Sequence, residues 1–161
     1  MRTRRTKSAL VVLSFLAAVL LASSGDAPAV PLATSVAIPI AGTVDGAPES
    51  VSLAGTLSIV NTLVIDPLLT SPRERISITL VNVSGVGLTS GAKYVAVGED
   101  RLLRRLALSD QIEIMFPFYR ATPDGRLSAR SAMASITLKF DLPTGALTGA
   151  TATFSSPKLA G

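Results

Sequence analysis

The chain has 161 residues, of which 15 are Lys or Arg and 11 are Asp or Glu, giving a formal net charge of +4; it contains no His, Cys or Trp. Those absences exclude a Ser-His-Asp triad, a thiol nucleophile, disulfides and zinc sites of the usual N/S kind. With 48% apolar and 16% charged residues, the composition is that of one folded domain rather than a disordered chain.

At the start of the chain, Arg2, Arg4, Arg5 and Lys7 precede an uncharged apolar stretch of 14 residues, Ala9 to Ala22. That stretch is shorter than the roughly 20 residues a spanning helix needs. Ala27-Pro28-Ala29 then places small residues where a signal peptidase reads. Together they predict a secretory signal peptide over residues 1–29, and an exported protein in the periplasm or outside the cell. An uncleaved anchor is the competing reading, and Ala22-Ser23-Ser24 is a second cleavage site by pattern. Removing residues 1–29 takes away four basic residues and Asp26, leaving 11 basic and 10 acidic residues, a net of +1. The basic character belongs mostly to the leader, so no nucleic-acid partner is expected.

Residues 30–47 read as an extended lead-in with one strand near Ser35 to Val44, where Pro39 suits an edge. A domain over residues 48–157 follows. Val51, Leu53, Leu57 and Ile59 alternate with polar residues, and Gly55 keeps the register while marking a bend or bulge. Ile76, Ile78 and Leu80 alternate likewise. Ser84 to Gly91 carries three glycines and reads as a loop, followed by a strand from Lys93 to Val97. Arg101 to Leu108 fits either a helix face capped by Asp100 or a strand, and its β surroundings favour a strand. Ile112, Ile114, Phe116 and Phe118 form the next alternating row, with Pro117 requiring an edge or bulge. Ala132 to Phe140 and Ala146 to Ser155 complete an antiparallel meander through turns at Pro123-Asp124-Gly125 and Pro143-Thr144-Gly145. The predicted fold is all-β, an antiparallel β-sandwich or small barrel of about 7–9 strands.

The stretch Ser84 to Val95 (SGVGLTSGAKYV) resembles a group of small exported bacterial proteins with no assigned activity. The matching stretches begin at Glu49 to Leu57 and continue through Tyr94, Phe116 to Arg120 and the last hairpin, spanning about residues 48–155. Members of that group often carry a Cys near each end of the domain, and this chain has none. The resemblance implies export and an all-β fold, and no activity.

No constellation assigns a catalytic, cofactor-binding or metal residue. Gly85, Gly87 and Gly91 have a phosphate-loop look, but a strand follows them where a helix N-terminus is needed. Ser90 and Lys93 match S-x-x-K, yet a strand would point them to opposite faces. Glu99, Asp100, Asp110, Glu113, Asp124 and Asp141 are the carboxylates available to a hydrolase, without the aromatic platforms of a sugar cleft. Glu99 and Asp100 with loop carbonyls would make only a weak calcium site. Arg101, Arg104 and Arg105 form the one basic cluster after the leader, suited to salt bridges with Glu99, Asp100 and Asp110 or to an anionic surface such as lipid head groups. Gly85, Gly87, Gly91, Lys93 and Tyr94 are the loop candidates. The expected role is a non-enzymatic binding or cell-envelope domain without cofactor, with an envelope lipid or a protein as partner. An apolar-ligand carrier in a β-barrel and a carboxylate hydrolase are the alternatives.

Overall fold

The computed structural model describes residues 33–66, 68 and 71–157. The leader and the first residues of the lead-in lie outside that range. Eight strands account for most of it: β1 (Ala33–Val44), β2 (Val51–Val64), β3 (Arg73–Gly87), β4 (Lys93–Ala96), β5 (Glu99–Arg105), β6 (Ser109–Arg120), β7 (Arg130–Asp141) and β8 (Ala146–Ser155). A single 3-10 turn spans Gly125–Ser128. Among the described residues no helix is long and apolar enough to cross a membrane.

The strands close on themselves. β1 pairs with β2 over its whole length, β2 with β3, β3 with β4, β4 with β6, β6 with β7 and β7 with β8. A short parallel pairing of Ile40–Gly42 with Ala152–Phe154 then returns β8 to β1. Of the two architectures the alternation allowed, the chain forms the barrel, with seven strands in the ring. All its other pairings are antiparallel, including the predicted β6-β7-β8 meander. The lead-in strand is thus a full stave. Pro39 lies just before the three-residue parallel pairing, where one side of β1 has no strand partner. Pro117 is placed similarly, one residue below the point where β4 joins β6 at Ala96 and Phe118.

β5 stands outside the ring. It continues from β4 through Val97-Gly98 along the same edge of β3, pairing Arg73–Thr79 with Arg105–Glu99, and bonds no second strand. The segment Arg101 to Leu108 is therefore a strand as far as Arg105. Five of the seven residues of β5 are charged, which suits an edge that must not recruit further strands.

Inward rows follow the period-two pattern. Ile40, Leu57, Ile59, Ile76, Ile78, Phe118, Ile136 and Leu138 are fully buried in one continuous core. These side chains pack into one cluster along the axis, as a ring of this size allows. The outward rows of β2, β7 and β8 are largely Ser, Thr and Lys, the reverse polarity of a barrel that spans a bilayer.

Gly55 marks a true bulge. Ala54 pairs with Ser84 and Thr56 with Val81, so Asn82 and Val83 together face Gly55. Asn82 takes the left-handed conformation, φ 52°, that such a bulge demands. A Cβ on Gly55 would sit 2.6 Å from the Val83 Cα.

The Ser84 to Gly91 loop is corrected. β3 runs on to Gly87, and only residues 88–92 are irregular. Gly85 and Gly87 are extended, and of the three glycines only Gly91 has positive φ, at 68°. Gly87 is needed for space: a Cβ there would overlap the Glu49 carboxyl group. Glycines clustered for close approach read, in sequence, like glycines clustered for a turn.

Candidate functional site

The two ends of the barrel differ in chemistry. One end carries the β1–β2 turn, residues 88–92 and the β6–β7 connection, and is built around Glu49. This carboxylate is nearly buried. It accepts hydrogen bonds from the Ser90 hydroxyl at 2.6 Å, the Ser90 and Thr89 backbone N–H groups at 2.9 and 3.2 Å, and the Tyr94 hydroxyl at 3.0 Å. Arg120 Nη2 adds a longer contact at 3.4 Å, and its Nε donates to the Tyr94 oxygen at 3.2 Å. Arg130 spans the mouth, donating to the backbone carbonyls of Glu49 and Asp45 while its guanidinium lies 4.9 Å from the Phe118 ring centre.

Hydrogen bonds from the Ser90 side chain and backbone, with help from Tyr94 and Thr89, outweigh burial and hold the Glu49 carboxyl at about 2. A general base works best near the ambient pH. A carboxylate so low, with its donors already in place, is suited to pinning the loop rather than to activating Ser90. Lys93 is exposed at the head of β4, so Ser90 and Lys93 do not form the one-turn pair of an S-x-x-K enzyme. Glu49, the glycine-flanked loop, Tyr94 and Arg120, far apart in sequence, meet here.

The other end carries the β2–β3 connection, the β5–β6 turn and the β7–β8 turn, and β1 begins there. Its arginines are only partly satisfied. Glu74, Ile76 and Ile78 point inward, so Arg73 and Arg75 point outward. Arg73 lies directly opposite Arg105, Arg75 opposite Leu103, and Ser77 opposite Arg101. Directly opposed residues of an antiparallel pair share a face, and like charges so placed repel. Among the described residues Arg73, Arg75 and Arg105 form no salt bridge. The Arg73 Nε is buried without an acceptor.

Arg101, Arg104 and Arg105, adjacent in sequence, separate in space. Arg101 reaches Glu99 at 3.5 Å, both side chains well exposed. Arg104 points the other way and grips Asp110 of β6 with two bonds, 2.7 Å from Nε and 2.8 Å from Nη2. That fork joins β5 to β6 where no backbone pairing does. The Asp110 hydrogen bonds raise Arg104 above its usual value, and the Arg104 bonds lower Asp110. Among the described residues the Asp100 side chain accepts only the Arg101 backbone N–H, at 2.7 Å. The remaining carboxylates stay apart: among the described residues no three gather as a metal site would require.

Arg73, Leu103, Arg104, Arg105, Ala107 and Asp110 line an open depression of about 380 Å³. Large apolar side chains stand around the same end, with Ile65 76% exposed, Leu68 91% and Leu108 67%. Sequence reasoning found Arg104 and Arg105 but missed Arg73, Arg75 and Glu49. Carrying the Ile76, Ile78, Leu80 row two residues back would have put Glu74 inside and both arginines outside. Glu49 opens the Glu49 to Leu57 stretch, but between Pro48 and Ser50 it reads like any turn acid and not like a site residue. Comparison of the chain with protein-family models, with curated proteins and with solved structures gives no match.

Proposed function

We propose that this is an exported, non-enzymatic β-barrel that docks on an anionic lipid surface through the barrel end bearing Arg73, Arg75, Arg104 and Arg105. The observation that carries the reading is the pairing of Arg73 opposite Arg105 on one face, with no acidic side chain bridging either among the described residues, beside the exposed Ile65, Leu68 and Leu108. Opposed arginines cost stability in isolation, and an anionic surface relieves that cost. A basic residue near such a surface contributes about 1 kcal/mol. With Arg104 neutralised by Asp110, the other three supply roughly 3 kcal/mol, somewhat weaker than millimolar binding. The protruding Ile and Leu side chains add the apolar contribution that interfacial proteins combine with charge. The chain enters the barrel at this same end, through Ala33, so before cleavage the apolar leader would hold it towards the membrane. A barrel whose axis is occupied by its own side chains supports a surface role rather than a carried ligand.

The test uses the processed protein recovered from its host, whose mass is expected to place the mature N-terminus near Val30. It should co-sediment with vesicles of phosphatidylglycerol and phosphatidylcholine, not with phosphatidylcholine alone, and should come off as salt rises. Equal binding to both vesicles, or none, overturns the docking proposal. An intact Met1 overturns the export proposal.

A further inference from the structure

We propose that the depression at the β5–β6 turn is a phosphomonoester site, in which Arg73, Arg104 and Arg105 grip one dianionic phosphate group. The inference rests on the reading of this barrel end as an anion-binding surface and names the group that it selects.

Charge points to the ligand class. Three arginines and one aspartate are among the residues that line the depression, a formal charge of +2. A phosphomonoester carries about −1.5 to −2 near neutral pH and offers three acceptor oxygens. A phosphodiester carries one charge and two free oxygens, and would leave the lining unbalanced.

Geometry agrees. Asp110 holds the Arg104 fork by Nε and Nη2, so the side chain is fixed in advance and its remaining Nη1 donors are free. Asp110 is therefore a positioning residue, and its pairing with Arg104 is no argument against an anion beside it. The Arg73 Nε is buried and has no acceptor among the described residues. A buried donor without a partner is costly, so the Arg73 side chain gains from a rearrangement that brings it an acceptor. Arg105, directly across the ladder, shares a face with Arg73 and adds its charge there. Planar guanidinium groups suit phosphate oxygens better than lysine would.

Free phosphate, a soluble phosphate ester and a lipid head group share this chemistry, and the experiment separates them. Inorganic phosphate is titrated into the processed protein at constant ionic strength while the arginine Nε–H resonances are followed by NMR. The expected result is a saturable shift at Arg73 and Arg105, absent with chloride, and weakened about tenfold or more by Arg105→Gln, the loss of one charge-assisted bond. Arg105 lies exposed on an edge strand, so its replacement should leave the other resonances in place, and Arg73→Gln provides a second variant. Preference for phosphatidate over phosphatidylglycerol vesicles, reversed by free phosphate, assigns the site to a lipid head group. Phosphate binding with no vesicle binding keeps this inference, assigns it to a soluble phosphate, and removes the membrane reading. Equal binding to both vesicles with no saturable phosphate shift overturns the inference and leaves the membrane reading standing. No response to phosphate or to vesicles overturns both.

Discussion

Replacing Glu74 with leucine is expected to stabilise the barrel at neutral pH by about 1–3 kcal/mol, the usual cost of a buried polar group without a partner. Glu74 is fully buried at the start of β3, and among the described residues its carboxyl group has no well-formed hydrogen bond; the neighbouring Asn61 amide offsets only part of the cost of burial. Its ladder neighbour on β5, Arg104, is committed to Asp110. Its neighbour on β2 is Leu63. Leucine matches the site in size and polarity, so little repacking is needed.

The same residue sets a pH dependence with a defined sign. Burial pushes the Glu74 carboxyl above its ordinary value of 4.5. From 4.5 upwards the unfolded chain has released a proton that the folded protein still holds, so stability falls as pH rises through the folded value. Glu49 acts oppositely. Its folded value is about 2 against an ordinary 4.5, so its contribution is complete above 4.5 and is lost as pH falls towards 2. Asp110, lowered from 3.8 by Arg104, adds to the acid side. These groups together make stability rise as Glu49 and Asp110 ionise and fall again as Glu74 does. Glu74→Gln, which keeps the shape of the neutral acid, should flatten the alkaline arm and leave the acid arm unchanged. Chemical denaturation across pH 2–8 measures both arms. A wild-type maximum at neutral pH would contradict this account of Glu74.

Removing the Glu49 side chain is expected to give the second large effect, on the opposite end of the barrel. Glu49→Ala takes the common acceptor from Thr89, Ser90, Tyr94 and Arg120 at once. Hydrogen exchange at residues 88–92 should rise sharply, while the amides of β7, paired on both sides, stay protected. Gly87 provides an internal check. A Cβ at Gly87 overlaps the Glu49 carboxyl, so Gly87→Ala should destabilise the wild type more than it destabilises Glu49→Ala. Contacting residues give such non-additive cycles. Additive effects would mean that the carboxylate and the glycine are not in contact.

The sequence made the staves legible but not the way they close. Rows such as Ile112, Ile114, Phe116 and Phe118 have the period-two alternation of a half-buried strand, and these residues are buried in the structure. The Gly55 bulge and the last hairpin were visible for the same local reasons. Closure depends instead on a parallel contact of three residue pairs between Ile40–Gly42 and Ala152–Phe154, more than a hundred residues apart. No local pattern encodes it. The functional ends were half legible. Arg104 and Arg105 stood out as neighbours in a run, although Arg104 turns to Asp110 while Arg105 stays outward. Arg73 was missed because its partner is Arg105 across the ladder, a relation set by register. Glu49 was missed because a carboxylate between Pro48 and Ser50 looks solvated until Ser90 and Tyr94 are brought to it.

Docking of one particular barrel end on anionic lipid is the claim on which the functional account depends. It is tested most directly by paramagnetic broadening of backbone amides in phosphatidylglycerol bicelles that carry spin-labelled lipid. The account predicts broadening at Ile65, Leu68 and residues 103–108, with residues 88–92 at the far end untouched. Broadening centred on residues 88–92, or none anywhere, would contradict it.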